Sequence, residues 1–120
     1  LKRFLLFVLT ILLLIPSALA VEMATENQAP IAEALELTTY RDIALAGMLI
    51  ATDPEGDLFE YQIVRSPKKG QLELDSPTGL FTYTPLEGKR GRDTFTYVAI
   101  DAVGNISDET AVTIRIRRNV

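Results

Sequence analysis

The sequence predicts an all-β sandwich of seven antiparallel strands. Three observations carry that prediction. From Ala34 to Arg117 the chain falls into short runs, about 5–10 residues each, whose polarity alternates residue by residue. Turn-forming residues close each run, and prolines 54, 67, 77 and 85 lie in turns or at strand ends. β-branched and aromatic residues fill the runs, and no segment carries a helical period. Clean alternation implies sheets with one face on the core and one in water.

The first strand covers Ala34 to Thr39, and the second runs from Ile43 to Thr52. Asp53-Pro54-Glu55-Gly56-Asp57 then forms a strong turn. The third strand, Leu58 to Arg65, sets Phe59, Tyr61 and Ile63 on one face against Glu60 and Gln62 on the other. Ser66-Pro67-Lys68-Lys69-Gly70 turns into a short fourth strand, Gln71 to Leu74, with Leu72 and Leu74 inward. After Asp75-Ser76-Pro77-Thr78-Gly79, the fifth strand runs from Leu80 to Thr84 and stops at Pro85, with Phe81 and Tyr83 inward. The loop Gly88-Lys89-Arg90-Gly91 leads to the sixth strand, Asp93 to Asp101, whose inner face holds Phe95, Tyr97 and Ala99. Asp101-Ala102-Val103-Gly104-Asn105 turns into the last strand, Glu109 to Arg117, with Val112, Ile114 and Ile116 inward. The alternating aromatics read as core, and Tyr40 is the aromatic expected near the surface.

The N-terminus reads as a secretory signal peptide over residues 1–20. Lys2 and Arg3 precede a run, Phe4 to Ile15, in which only Thr10 is polar, and Pro16-Ser17-Ala18-Leu19-Ala20 supplies a small-x-small end. Cleavage is expected after Ala20. The competing reading is a retained anchor, but a spanning helix needs about 20 apolar residues, and this stretch approaches that length only by counting Pro16 and Ser17. No Cys is present to carry a lipid. Residues 21–30, ending in Pro30, read as a linker, and 31–118 as the sandwich domain. The chain opens on Leu, which leaves a complete chain and a piece of a longer one both open.

Composition narrows the chemistry. The 120 residues contain no Cys, His or Trp. Disulfides, Cys or His zinc sites, Cys nucleophiles and His bases are therefore excluded. There are 12 basic and 16 acidic residues. Lys2 and Arg3 would leave with the leader, and 10 basic against 16 acidic residues give −6 for residues 21–120. Such a charge disfavours nucleic acid as a partner.

Together the pieces form a pattern. Asn27-Gln28-Ala29-Pro30 opens it, followed by Ala51-Thr52-Asp53-Pro54-Glu55-Gly56-Asp57 and Tyr61-Gln62-Ile63. Pro67-Lys68-Lys69-Gly70 and Gly79-Leu80-Phe81-Thr82-Tyr83-Thr84-Pro85 come next. Gly91-Arg92-Asp93-Thr94-Phe95-Thr96-Tyr97 and Asp101-Ala102-Val103-Gly104-Asn105 complete it. This order resembles the cadherin-like branch of bacterial immunoglobulin-like domains, over about residues 27–117. The resemblance implies a Greek-key sandwich used as a spacer or adhesion module in surface proteins, with no catalysis. The alternative is a module that binds wall glycan or a protein partner. Expected partners are neighbouring extracellular domains or an envelope component, with the domain itself a monomer.

The resemblance also raises calcium. In cadherins an Asp-x-Asp in the first turn and an Asp in the turn before the last strand help bind calcium between adjacent domains. Asp53 and Asp101 match, Glu55 replaces the second Asp, and Asp57 lies beside them. Glu26-Asn27-Gln28 departs from the acidic run of the family's linker. A helix-loop calcium motif is excluded, because Val64 stands where its bidentate Glu belongs. The plainer reading is a solvated turn, and no metal ligand or cofactor is assigned.

No catalytic residue is assigned either. Ser66, Ser76 and Ser107 fall in predicted turns without a His partner. Lys68, Lys69 and Lys89 lie in Gly/Pro loops, which does not suit a buried lysine isopeptide. Lys89, Arg90 and Arg92 form one basic patch, and Arg115, Arg117 and Arg118 another. Both read as solvated surface, with contact to an anionic wall polymer as the functional alternative.

Overall fold

The computed structural model describes residues 27–57 and 59–119. The expected leader, most of the linker and the first residue of the predicted third strand therefore lie outside the described residues.

Nine strands are present among them: β1 (Ile31–Ala32), β2 (Leu35–Tyr40), β3 (Leu45–Met48), β4 (Ala51–Thr52), β5 (Phe59–Arg65), β6 (Gly70–Leu74), β7 (Leu80–Pro85), β8 (Gly91–Asp101) and β9 (Thr110–Arg117). A four-stranded sheet has the order β2-β9-β8-β5, and a three-stranded sheet the order β3-β7-β6. β1 and β4 form a separate two-stranded ribbon.

Two expectations need correction. The predicted second strand, Ile43 to Thr52, is two strands with different partners. β3 pairs with β7, whereas β4 pairs with β1, a two-residue strand that the alternation did not predict, so nine strands stand among the described residues where seven were expected. The run changes partner at Leu49, whose N–H reaches the Gly79 carbonyl at 2.9 Å. Alternation persists through the break, with Leu49 only 2% exposed, so the polarity pattern could not reveal it. Secondly, the sheets are not wholly antiparallel: β2 runs parallel to β9, with Leu35 beside Val112 and Tyr40 beside Arg117. These strands come from opposite ends of the domain, so no hairpin opposes their directions. An alternating strand buries the same side chains whichever way it runs.

The core lies between the two larger sheets. Tyr83, Phe95, Tyr97, Ala99, Val112 and Ile114 are fully buried. Phe81 meets Phe95 edge-on with ring centroids 5.5 Å apart, a favourable contact of opposite ring potentials. The aromatics expected in the core are there, with Phe59 half-buried and the others buried. Glycines make room for them: a Cβ on Gly47 would fall 2.4 Å from the Phe81 ring, and one on Gly70 would fall 2.5 Å from that of Tyr83.

Polar groups fasten the layers together. The Tyr97 hydroxyl reaches the carbonyls of Ile50, at 2.9 Å, and Glu33, which fixes the β1–β4 ribbon to β8. Asp93 is 5% exposed and faces the core from β8. It accepts the Tyr83 hydroxyl at 2.6 Å and the backbone N–H groups of Lys68, Lys69 and Thr94. Burial alone would raise its pKa, but these four hydrogen bonds outweigh it and hold the carboxyl below the usual range. The same burial and carboxylate push the Tyr83 phenol far up.

Candidate functional site

The turn between β4 and β5 and the turn between β8 and β9 lie at one end of the sandwich, since Phe59 pairs with Asp101. In the first turn Asp53 Oδ1 accepts the N–H groups of Glu55, at 3.0 Å, and Asp57, at 3.3 Å. Gly56 supplies the positive φ, 72°, that closes the turn. This geometry folds the chain back on itself, so carboxylate oxygens of Asp53, Glu55 and Asp57 lie within 4.8 Å of one another. Asp53 Oδ2 is buried and has no hydrogen-bond partner among the described residues. An unpaired carboxylate oxygen beside two other carboxylates is a donor arrangement that suits a hard cation.

Asp101 does not join this cluster. Its Oδ1 accepts the N–H groups of Val103 and Asn105, at 3.0 and 2.8 Å, and its Oδ2 accepts the Asn105 amide at 3.0 Å. Burial would raise its pKa, but the hydrogen bonds, those of Asn105 foremost, bring it below the ordinary value. Asp101 braces its own loop.

Asn27 connects the two turns. Its amide donates to Asp57 Oδ2 and its carbonyl accepts the Asn105 amide at 2.8 Å. The orientation is chemically forced, since a carboxylate needs a donor and the Asn105 NH2 needs an acceptor. The adjacent Gln28 N–H donates to Glu55 at 3.0 Å. The last residues of the expected linker are thus docked onto the loop end. Asn27 and Asn105 both stand in the sequence pattern, yet nothing in their spacing places them in contact 78 positions apart.

The remaining candidates resolve differently. Ser76 donates to the Tyr61 carbonyl at 2.7 Å, and the buried Ser107 receives the Ala99 N–H at 2.8 Å, so both brace backbone. Lys69 Nζ donates to the Arg90 carbonyl at 3.1 Å from a half-buried position, and Lys68 and Lys89 are exposed. The two basic patches are brought together, because Arg92 of β8 lies directly opposite Arg115 of β9. Tyr40 is 46% exposed, as expected.

No curated protein matches the chain. Solved structures match its fold. An endo-fucoidan hydrolase of glycoside hydrolase family 107 superposes with a TM-score of 0.62 at 20% identity, over 80% of this chain and 14% of that one. A putative α-galactosidase from Bacteroides fragilis gives 0.56 at 23% identity, over 72% and 17%. A variant of the SrpA adhesin from Streptococcus sanguinis gives 0.54 at 18%, over 79% and 61%. The chain therefore spans only a small part of the two enzymes and less than two thirds of the adhesin. In each, the matching unit is one module of a larger protein. The family model for the bacterial cadherin-like domain matches residues 27–118, and the chain belongs to that family, as a non-catalytic module.

Proposed function

We propose that this chain is a structural or adhesion module of an exported bacterial envelope protein, set end to end with neighbouring extracellular domains. The observation that carries the reading is the docking of Asn27 and Gln28 onto the loops at 53–57 and 101–105. A module that transmits orientation along a surface protein needs its entry segment fixed to its body, because a free linker would decouple successive domains. Family membership and the adhesin's similar fold support the same reading. Residues 1–20 act as the leader, residues 21–30 join it to the module, and 31–118 form the sandwich. Sequencing the exported protein should give Val21 as its N-terminus. An intact leader on the exported protein would replace the cleaved leader with an anchor.

Calcium fits the three-carboxylate turn in part. Asp53, Glu55 and Asp57 would hold it, and the rest of the six to eight oxygens that calcium takes would come from water or an adjoining domain. The ion would neutralise the clustered charge and stiffen the entry turn. A thermal melt with excess calcium and then with chelator tests this. The expected result is a rise of several degrees with calcium that Asp53→Asn removes. Asp101→Asn should lower the melt equally in both buffers, since that carboxylate is engaged by its own loop. Identical melts of the unsubstituted protein would leave a solvated turn and a module that needs no ion.

A further inference from the structure

We infer that the outer face of the four-stranded sheet, at the end away from the acidic turns, binds an anionic polysaccharide. The inference stands apart from the spacer reading and uses none of its residues. On this face Arg92 lies opposite Arg115, and Thr38 flanks Arg115 on the other side. One step along, Tyr40 lies opposite Arg117. All five side chains are exposed, and alternation places them on the same face. With Glu36 as the acidic member, the arginines line a concavity of about 250 Å³.

The charge arrangement asks for a counter-ion. Like charges directly opposite each other on a sheet destabilise the pair, and Arg92 and Arg115 are in that relation. Among the described residues the ion pair that forms is Arg65–Glu109, at 3.3 Å, and the three face arginines enter none. The chain as a whole carries −4, so a cationic face with so few acids is a local concentration against the general balance. Guanidinium groups grip sulfate or carboxylate through paired N–H donors. Arg115 and Arg117 stand two residues apart on one strand, a rise of about 6.8 Å, which suits charges repeated along a polymer.

The neighbouring groups select a sugar polymer over other polyanions. Tyr40 offers an exposed ring, which suits the C–H face of a sugar, and the hydroxyl of Thr38 can serve ring hydroxyls. The position is rigid. The Arg41 N–H reaches the Arg117 carbonyl at 2.8 Å, and the Ile43 N–H closes a turn onto the Tyr40 carbonyl at 3.0 Å. Duplex nucleic acid offers no exposed sugar face of this kind, and its long charged rod would meet the acidic remainder of the molecule.

Affinity electrophoresis of the full chain through gels holding dextran sulfate, polygalacturonate or neutral dextran tests the assignment. Retardation by a charged polymer and not by dextran is expected, and the two charged gels distinguish sulfate from carboxylate as the recognised group. Arg92→Ala with Arg115→Ala should weaken retention by about tenfold. Tyr40→Ala should weaken it severalfold without changing the slope against salt. Arg115→Glu should abolish retention while melting no lower than the parent, since it replaces a repulsive pair by an attractive one. That variant separates loss of binding from loss of fold. Absence of retardation in both charged gels would overturn the inference. So would equal retention by a DNA duplex together with indifference to Tyr40→Ala, because the face would then be a general cationic surface.

Discussion

Tyr83 and Asp93, ten positions apart on adjoining strands of different sheets, are joined by a hydrogen bond of 2.6 Å inside the sandwich. The carboxylate holds four donors in all, three of them backbone N–H groups. Removing it strands those donors, whereas removing the phenol leaves the carboxylate with three. Asp93→Ala should therefore cost about 3–5 kcal/mol and Tyr83→Phe about 1–2 kcal/mol. Urea denaturation of both variants checks the ordering, and equal losses would count against this account.

Acid should unfold the protein through the same group. The Asp93 and Asp101 carboxyls titrate below their ordinary value in the folded state. The stability this contributes is fully present above the unfolded-state pKa of about 3.9 and drains away as pH falls through the folded values. The melting temperature should be flat with respect to these two groups from pH 7 to about 5 and fall below about 4. In Asp93→Asn the acid limb should be shallower. A parent melt that stayed level to pH 2 would contradict this assignment.

The Asn27–Asn105 contact should be measurable as a coupling. Each alanine substitution is expected to cost about 1 kcal/mol, and the double variant less than the sum. Amide exchange at Gln28 and Asp57 should quicken in Asn27→Ala. Strict additivity would mean that the entry segment is not held by this bridge.

Gly70 and Gly47 are spacers for aromatic rings. Gly70→Ala puts a methyl carbon where the Tyr83 ring lies and should cost about 1–3 kcal/mol through overpacking. Gly56→Ala meets open space but a positive φ, and should cost about 1 kcal/mol from backbone strain alone. Comparing the two by denaturant midpoint separates crowding from conformation.

Tyr97 ties the β1–β4 ribbon to β8 through its hydroxyl. Tyr97→Phe should loosen Glu33 and Ala51 in hydrogen exchange while costing only about 1–2 kcal/mol globally. Uniform loss of protection across all strands would show the ribbon to be no separate unit.

Much of this architecture was legible along the chain. The period-two pattern located the strands, because a half-buried strand must alternate, and it named the aromatic core. The same pattern placed Asp93 and Asp101 on the inner face with Phe95, Tyr97 and Ala99, a signal of buried carboxylates that the acidic residue type obscured. The acidic turn at 53–57 was legible too, since its carboxylates are local in the chain. The parallel direction of β2, the partner change at Leu49 and the contact of Asn27 with Asn105 were not legible. Alternation records which side chains face inward and is blind to strand direction and partner. Nor could it show that Arg92 and Arg115 share one face. Those facts depend on which strand edges meet in space, and that is decided by how the two sheets close over one shared core.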